Sequence, residues 1–313
     1  MTIQEALKKG TDILKLKGLE SPALEAGVLL CRVLKCDRAF LYAHGEFLLK
    51  EGEKALFLEY IRERSMGRPL QHLTGKQEFM SLDFAVSGDV LVPRQETEVL
   101  VEAVIKHVKN RFKERKTNHA GRKFIPEVEI LDIGTGSGCI GISLAYYLKN
   151  CRVTAVDISE KALERARENA LRNGVEDRMT FVCADILKCG DIGFKTGKSP
   201  KACGYFEHEA YDVLVSNPPY IPSCEIVGLQ KEVREYEPYE ALDGGRDGLL
   251  FYRAIAFECV NLLKPDGMVA LEVGYGQANE VVGLFREHCY DINILKDLSG
   301  GERVITGLLK SPA

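Results

Sequence analysis

Apolar positions over the first 75 residues recur at helical spacing. Ile3 with Leu7, then Ile13 and Leu14, share one helical face, and Gly18 is a stop signal. Ser21 before Pro22 reads as an N-cap followed by proline at the first helical position. The apolar stretch 23–34 that follows is nearly free of breakers. Asp37 can cap a short helical turn through Leu41. Leu56 with Tyr60, and Phe57 with Ile61, are i,i+4 pairs in a further helix ending near Gly67. Residues 1–75 therefore predict a small helical bundle.

The pattern then changes. Arg68-Pro69-Leu70-Gln71 and Thr74-Gly75 break the helix. Residues 79–92 partly alternate, and Ser87-Gly88-Asp89 is a turn signal, so 76–93 predicts a β-hairpin linker. A helix opens after Pro93-Arg94-Gln95-Glu96-Thr97-Glu98, with Leu100, Val101, Val104 and Ile105 turned inward. Residues 110–126 are polar and basic and read as an exposed loop.

From Val128 onward strand and helix patterns alternate. Strands are predicted at 128–133, 153–156, 179–183, 211–216, 268–273, 292–295 and 303–309. Helices are predicted from Cys139, from a Ser159 cap to Gly174 with Leu163, Ala166 and Ala170 inward, and over 249–263 before a Pro265-Asp266-Gly267 turn. This alternation predicts an α/β domain over 94–313, with a parallel, doubly wound sheet covered by helices on both faces. The closely spaced last two strands predict an antiparallel edge pair. Residues 188–209 read as an inserted surface loop.

Length and charge refine this. A chain of 313 residues with 45% hydrophobic and 28% charged residues supports about two soluble domains. A net charge of -4 argues against tight, nonspecific nucleic-acid binding, which needs phosphate neutralisation. The N-terminus lacks an apolar signal core, and no run approaches the roughly 20 apolar residues of a membrane helix. Ten cysteines without a C-x-x-C pair read as reduced thiols of a cytoplasmic protein.

Two motifs carry chemistry. Gly134-Thr135-Gly136-Ser137-Gly138 lies between a strand and a helix, where backbone can approach a ligand closely and the helix N-terminus adds donors. The G-x-G-x-G pattern has Cys139 where a dinucleotide fingerprint has its third glycine, so it suits S-adenosylmethionine, which has no pyrophosphate. Asp157, at the end of the second strand, can accept from ribose hydroxyls, and Asp185, at the end of the third, from the adenine amino group.

The second motif is Asn217-Pro218-Pro219-Tyr220, directly after the fourth strand. The prolines fix the backbone and remove donors. The Asn217 side-chain oxygen and the Pro218 carbonyl then offer two acceptors to the two hydrogens of an –NH2 group, while Tyr220 can stack on a planar acceptor. An amide or aromatic –NH2 is a weak nucleophile, because its lone pair is delocalised. Holding both hydrogens turns the nitrogen toward an incoming methyl group by positioning and electrostatics. The two motifs together indicate methyl transfer to such a nitrogen and imply no metal.

At these residues the sequence resembles the release-factor glutamine methyltransferases, the PrmC/HemK family. The likeness rests on Gly67-Arg68-Pro69-Leu70-Gln71 with Thr74-Gly75, on Phe79, on residues 92–98, on the glycine loop, Asp157 and Asn217-Pro218-Pro219-Tyr220, on Glu237-Pro238 through Leu249, and on Glu272-Val273-Gly274-Tyr275. The Asn-Pro-Pro-Tyr motif is shared with adenine-N6 DNA methyltransferases; the helical region and the 93–98 segment are not. The resemblance implies a helical substrate-recognition domain (1–75), the hairpin linker (76–93) and a Rossmann-like, seven-stranded class I methyltransferase domain (94–313). It implies methylation of the Gly-Gly-Gln glutamine of class I release factors, with no direct nucleic-acid substrate. Gly134 to Gly138, Asp157, Asp185, Ile186 and Asn217 would then bind the cofactor, and Asn217, Pro218, Pro219 and Tyr220 would shape the glutamine pocket. Gln95 stands where the family usually has proline, Ile186 where an aromatic is common, and the 188–209 insert is longer than usual. Alternatives are another protein glutamine, for example on a ribosomal protein, an adenine-N6 methyltransferase, a noncatalytic interaction module, and an NAD-dependent oxidoreductase.

Overall fold

The computed structural model describes residues 1–111, 116–117, 123–124, 126–189 and 209–311. Most of the loop expected at 110–126 and of the insert expected at 188–209 lies outside them. The chain forms two compact units: Met1–Lys76 with Leu229–Tyr236, and Gln77–Gly228 with Glu237–Ala313.

The first unit is helical: α1 (Ile3–Leu16), α2 (Pro22–Leu34), α3 (Arg38–Ala43), α4 (Glu51–Ser65) and α5 (Leu70–Thr74). Helix α1 starts in a reciprocal cap between Thr2 and Glu5, and Asp37 caps α3 through the Phe40 N–H at 2.8 Å. Ser21 sits at the cap position of α2, but its side chain makes no capping bond; Pro22 alone marks that start. Ile3, Ala6, Gly10 and Leu14 form the buried stripe of α1. Gly10 is needed for close packing, because a Cβ there would stand 2.8 Å from Phe57 and 2.9 Å from Ile61. Of the two pairs expected in α4, only Phe57 and Ile61 are buried; Leu56 is exposed. The stretch expected only to break the helix does so at Arg68-Pro69, but Leu70–Thr74 resumes as a short helix closed by Gly75 in the left-handed region.

The later segment Leu229–Tyr236 belongs to this helical unit. Buried Arg64 joins it there, with Nε 2.5 Å from Glu25 Oε2 and Nη1 2.9 Å from Glu232 Oε2.

The second unit opens with a hairpin, β1 (Lys76–Phe79) and β2 (Leu82–Ala85). Its turn is Met80-Ser81, with φ of 50° and 57°, rather than Ser87-Gly88-Asp89. A two-residue turn with both φ positive matches the twist of the strands. The strain of placing Met80 there is offset by two bonds: its N–H donates to Glu98 and its carbonyl accepts from the Tyr147 hydroxyl, both at 2.7 Å. No glycine marks this turn, which hid it in the sequence.

A single 3-10 turn at Gln95–Thr97 leads into α6 (Glu98–Arg111), followed by a short antiparallel pair, β3 (Lys116–Thr117) and β4 (Lys123–Phe124). The main elements follow: β5 (Val128–Ile133), α7 (Cys139–Tyr147), β6 (Cys151–Asp157), α8 (Glu160–Arg172), β7 (Met179–Cys183), α9 (Ile186–Cys189), β8 (Tyr211–Ser216), α10 (Leu250–Leu262), β9 (Leu263–Glu272), α11 (Ala278–Phe285), β10 (Cys289–Lys296) and β11 (Glu302–Leu309). The seven-stranded sheet runs β10-β11-β9-β8-β5-β6-β7. β5 through β9 pair in parallel, and β11 is antiparallel to both neighbours. The expected edge pair exists, but its inner member is β11, so β10 is the edge. Pro265-Asp266-Gly267 bulges out inside β9 instead of preceding it, since the register jumps from Tyr211↔Leu263 to Val213↔Met268.

Both faces of this sheet are covered, which explains the continuous apolar runs in its central strands. Ile130, Val213 and Val215 pack toward α6, α7 and the hairpin, while Leu131 and Leu214 pack toward α10 and α11. Every residue of β8 is buried. Strand order reverses between β5 and β8, and such a switch point opens a crevice at the carboxyl ends of the strands.

Candidate active site

Parallel register brings the expected site residues to one edge of the sheet. Ile133 stands beside both Val156 and Ser216, so the glycine loop, Asp157 and Asn217 emerge side by side.

The loop folds back on β6: the Gly134 and Thr135 N–H groups both donate to the Val156 carbonyl, at 2.8 and 2.9 Å. Gly134 and Gly136 have φ of 70° and 55°, and a Cβ on either would meet nothing within 4 Å. The backbone there lies bare, as close ligand approach requires. Gly138 serves packing instead, for its Cβ would lie 2.6 Å from Ile142 Cδ1. Asp157 holds the loop: Oδ2 accepts from Gly136 N–H and Oδ1 from Ser159 N–H, both at 2.9 Å. Burial pushes its carboxyl up, and these N–H donors oppose that shift. Each oxygen keeps a further acceptor site, so the pair fits a diol such as a ribose.

Beneath the loop, Asp132 Oδ2 accepts from the Thr135 hydroxyl at 2.7 Å and from Gly141 N–H at 3.0 Å. Complete burial pushes its carboxyl up to about 6. The Ser137 hydroxyl is buried. Asn169 of α8 ties the loop to the hairpin, donating to the Ser137 and Ala85 carbonyls at 2.9 and 3.0 Å and accepting from Ala85 N–H at 2.7 Å.

Asp185 lies two residues beyond β7 rather than at its end. Its Oδ1 accepts from Leu187 N–H at 3.0 Å and its Oδ2 lies 3.3 Å from Lys188, so it caps α9. The Ile186 side chain is buried in the apolar cluster with Ile133 and Val156.

Past β8, the 217–223 segment is firmly held. Ile221 exchanges two bonds with the 242–244 turn: its N–H donates to the Leu242 carbonyl and its carbonyl accepts from Gly244 N–H. The Tyr220 carbonyl accepts from Gln277 Nε2 at 3.0 Å, and Gln277 Oε1 accepts from Gly274 N–H at 3.1 Å. Pro218 is buried, and Pro219 and Tyr220 are half-buried. Burial pushes the Tyr220 hydroxyl up to about 12, so it stays protonated near neutrality. Asn217 Nδ2 donates to Thr97 Oγ1 at 3.4 Å, and Thr97 donates to Glu272 Oε2 at 2.6 Å. Arg94 donates to Glu237 Oε1 at 2.7 Å.

Asn169, Gln277, and the Thr97–Glu272 pair were not singled out as functional from sequence. Asn169 sits inside α8 and Gln277 just before α11, with nothing in the sequence to mark either. Thr97 and Glu272 lie inside segments that carry the family resemblance, and that was their only signal.

A seven-stranded sheet with a bare glycine loop after β5 and an acid ending β6 defines a class I methyltransferase domain, whose methyl donor is S-adenosylmethionine. The comparisons agree: residues 126–289 match the family model described as "Methyltransferase domain", and residues 5–75 match "PrmC N-terminal domain". The chain is 40% identical over 309 residues to the release factor glutamine methyltransferase of Moorella thermoacetica, covering 97% of each. It is 38% identical to that of Geobacter sulfurreducens, covering 98% of this chain and 96% of the relative. For the Clostridium botulinum protein of the same description the identity is 34%, over 97% of this chain and 98% of the relative. The chain belongs to the release factor glutamine methyltransferase family.

Proposed function

We propose that this chain methylates the side-chain amide nitrogen of the glutamine in the Gly-Gly-Gln motif of class I peptide chain release factors, in the cytoplasm. The observation that carries this reading is likeness along the whole chain, helical region included, to release factor glutamine methyltransferases at up to 40% identity. Among the described residues no helix is long and apolar enough to cross a membrane.

S-adenosylmethionine, when bound, supplies an electrophilic methyl group on a sulfonium. Gly134, Thr135, Gly136, Ser137 and Gly138 would form the loop that holds it, with bare backbone at Gly134 and Gly136, Asp157 on its hydroxyls and Asp185 and Ile186 flanking its base. Asn217 Oδ1 and the Pro218 carbonyl would accept the two hydrogens of the acceptor amide, with Pro219 and Tyr220 walling its plane. Two acceptors at fixed positions select –NH2 and orient its nitrogen, which is a positioning role and needs no base in contact beforehand.

The test offers the purified protein methyl-labelled S-adenosylmethionine with a class I release factor, the same factor with its motif glutamine replaced, and duplex DNA. Label on the intact factor alone is the expected result. Label on DNA would return the Asn-Pro-Pro-Tyr motif to adenine chemistry, and label surviving the glutamine replacement would move the target residue. Asn217→Ala should nearly abolish turnover with the fold intact, whereas Asp157→Ala should chiefly weaken cofactor binding.

A further inference from the structure

The Asn217 side chain has two ends of similar shape and opposite hydrogen-bonding sense. Only the oxygen end can accept from an –NH2 group, so its orientation decides whether the site works. We propose that Glu272, acting through the Thr97 hydroxyl, is the positioning residue that sets which end of the Asn217 amide faces the acceptor. This rests on the glutamine-acceptor reading above.

Thr97 is buried and has one hydroxyl hydrogen. Glu272 Oε2 lies 2.6 Å from that hydroxyl, and an ionised carboxylate can only accept. Thr97 therefore spends its hydrogen on Glu272, and its oxygen can only accept from the other side. The group on that side is the Asn217 amide, which must present Nδ2, at 3.4 Å. Oδ1 is thereby turned away from Thr97. A proton on Glu272 Oε2 would reverse the chain: Glu272 would donate to Thr97, Thr97 would donate to Asn217, and the amide would turn its N–H2 outward, against the hydrogens of the acceptor.

The surroundings place this reversal near neutrality. Burial pushes the Glu272 carboxyl up to about 7, against the Thr97 bond and the pull of Arg303 on β11. Glu96 raises it and Arg94 lowers it, both from the segment before α6. Cys139 of α7, Tyr220 after β8 and Tyr252 of α10 also face it, all three protonated at neutral pH with their own values raised. The Tyr252 hydroxyl donates to the Glu272 backbone carbonyl at 2.9 Å, which fixes the strand end without touching the carboxylate.

The test measures kcat and KM of the full chain on a class I release factor from about pH 6 to pH 8.5. In the wild type kcat should fall toward tenfold per unit below about pH 7, with cofactor KM steady. Glu272→Gln has no proton to gain or lose in this range, so its kcat at pH 6 should stay within about threefold of that at pH 8. Thr97→Val should lower kcat by about ten- to a hundredfold at unchanged cofactor affinity, as loss of one buried hydrogen-bond partner predicts, and Thr97→Ser should restore it. An acidic limb that persists in Glu272→Gln, or wild-type kcat in Thr97→Val, overturns the inference. The Asn217 side-chain amide resonances, read by 15N labelling with no acceptor present, should shift between about pH 8 and pH 6 in the wild type and stay fixed in Glu272→Gln. That shift in a protein silent on the factor would count against the glutamine reading alone. Its absence overturns the inference whatever the activity.

Discussion

Replacing Asn169 with alanine should loosen the glycine loop from a distance. Asn169 is completely buried in α8, and its amide makes three bonds to main-chain groups: Ala85 N–H, the Ala85 carbonyl and the Ser137 carbonyl. Ala85 and Ser137 are themselves only 3% and 2% exposed, so water cannot take over these bonds without opening the structure. Leaving a buried main-chain group unpaired costs about 1–3 kcal/mol, and shared relaxation keeps three of them near the lower end, for a total of about 3 kcal/mol. The loss has two readouts. Urea unfolding followed by circular dichroism should show the drop in stability directly. Titration with S-adenosylmethionine should show affinity weakened by about tenfold, because the Ser137 carbonyl is then free to move the loop. Asn169→Asp keeps the acceptor for Ala85 N–H but loses both donors and turns a carboxylate toward two carbonyls, so it should be no better. An alanine variant within about 0.5 kcal/mol of wild type, binding cofactor normally, would refute the claim that this amide holds the loop.

Gly248→Ala should disrupt the acceptor loop, because φ there is +74° and a Cβ would lie 2.4 Å from the Tyr220 carbonyl and 2.5 Å from Gln277 Nε2; a loss on the order of 2 kcal/mol with a matching fall in turnover is expected by melting and methyl-transfer assay. Asp132→Asn should flatten the pH dependence of stability. The folded carboxyl titrates at about 6 against 3.8 for an ordinary one, so its contribution is complete below about pH 4 and is lost as pH rises through about 6. Up to about 3 kcal/mol of slope should vanish from urea titrations between those limits. Arg64→Ala strands Glu25 and Glu232, whose side chains are 14% and 37% exposed. About 2–3 kcal/mol should be lost, mostly through Glu25 because solvent screens Glu232, and limited proteolysis should cut within 229–236 faster than in the wild type.

Much of this molecule is legible from periodicity and punctuation. The central strands lie on apolar runs because both faces of the sheet are covered; β5 stops at Gly134, β6 at Asp157 and β9 at Glu272, whereas β8 stops at Asn217. The Asn-Pro-Pro-Tyr segment and the glycine loop were visible for the same reason: few other residues can adopt those backbones. What stayed hidden has no local signature. The hairpin turn uses Met80-Ser81, whose positive φ is stabilised by Glu98 and Tyr147, residues far along the chain. The close spacing of the last two strands marks an antiparallel pair, but not that β11 lies inside and β10 at the edge. Asn169 in α8 and Gln277 just before α11 look like ordinary polar residues until the fold shows what their amides bridge, and the order of hydrogens through Thr97 can be read only from distances.

The path of the chain imposes an order on its own synthesis. The helical unit contains Leu229–Tyr236, yet its other residues end at Lys76. Between them the ribosome must make the 152 residues from Gln77 to Gly228. At ordinary elongation rates that takes roughly 8–30 s. Throughout that interval Arg64 can reach Glu25 but not Glu232, and the first helices to emerge stay unfinished while most of the sheet is being made.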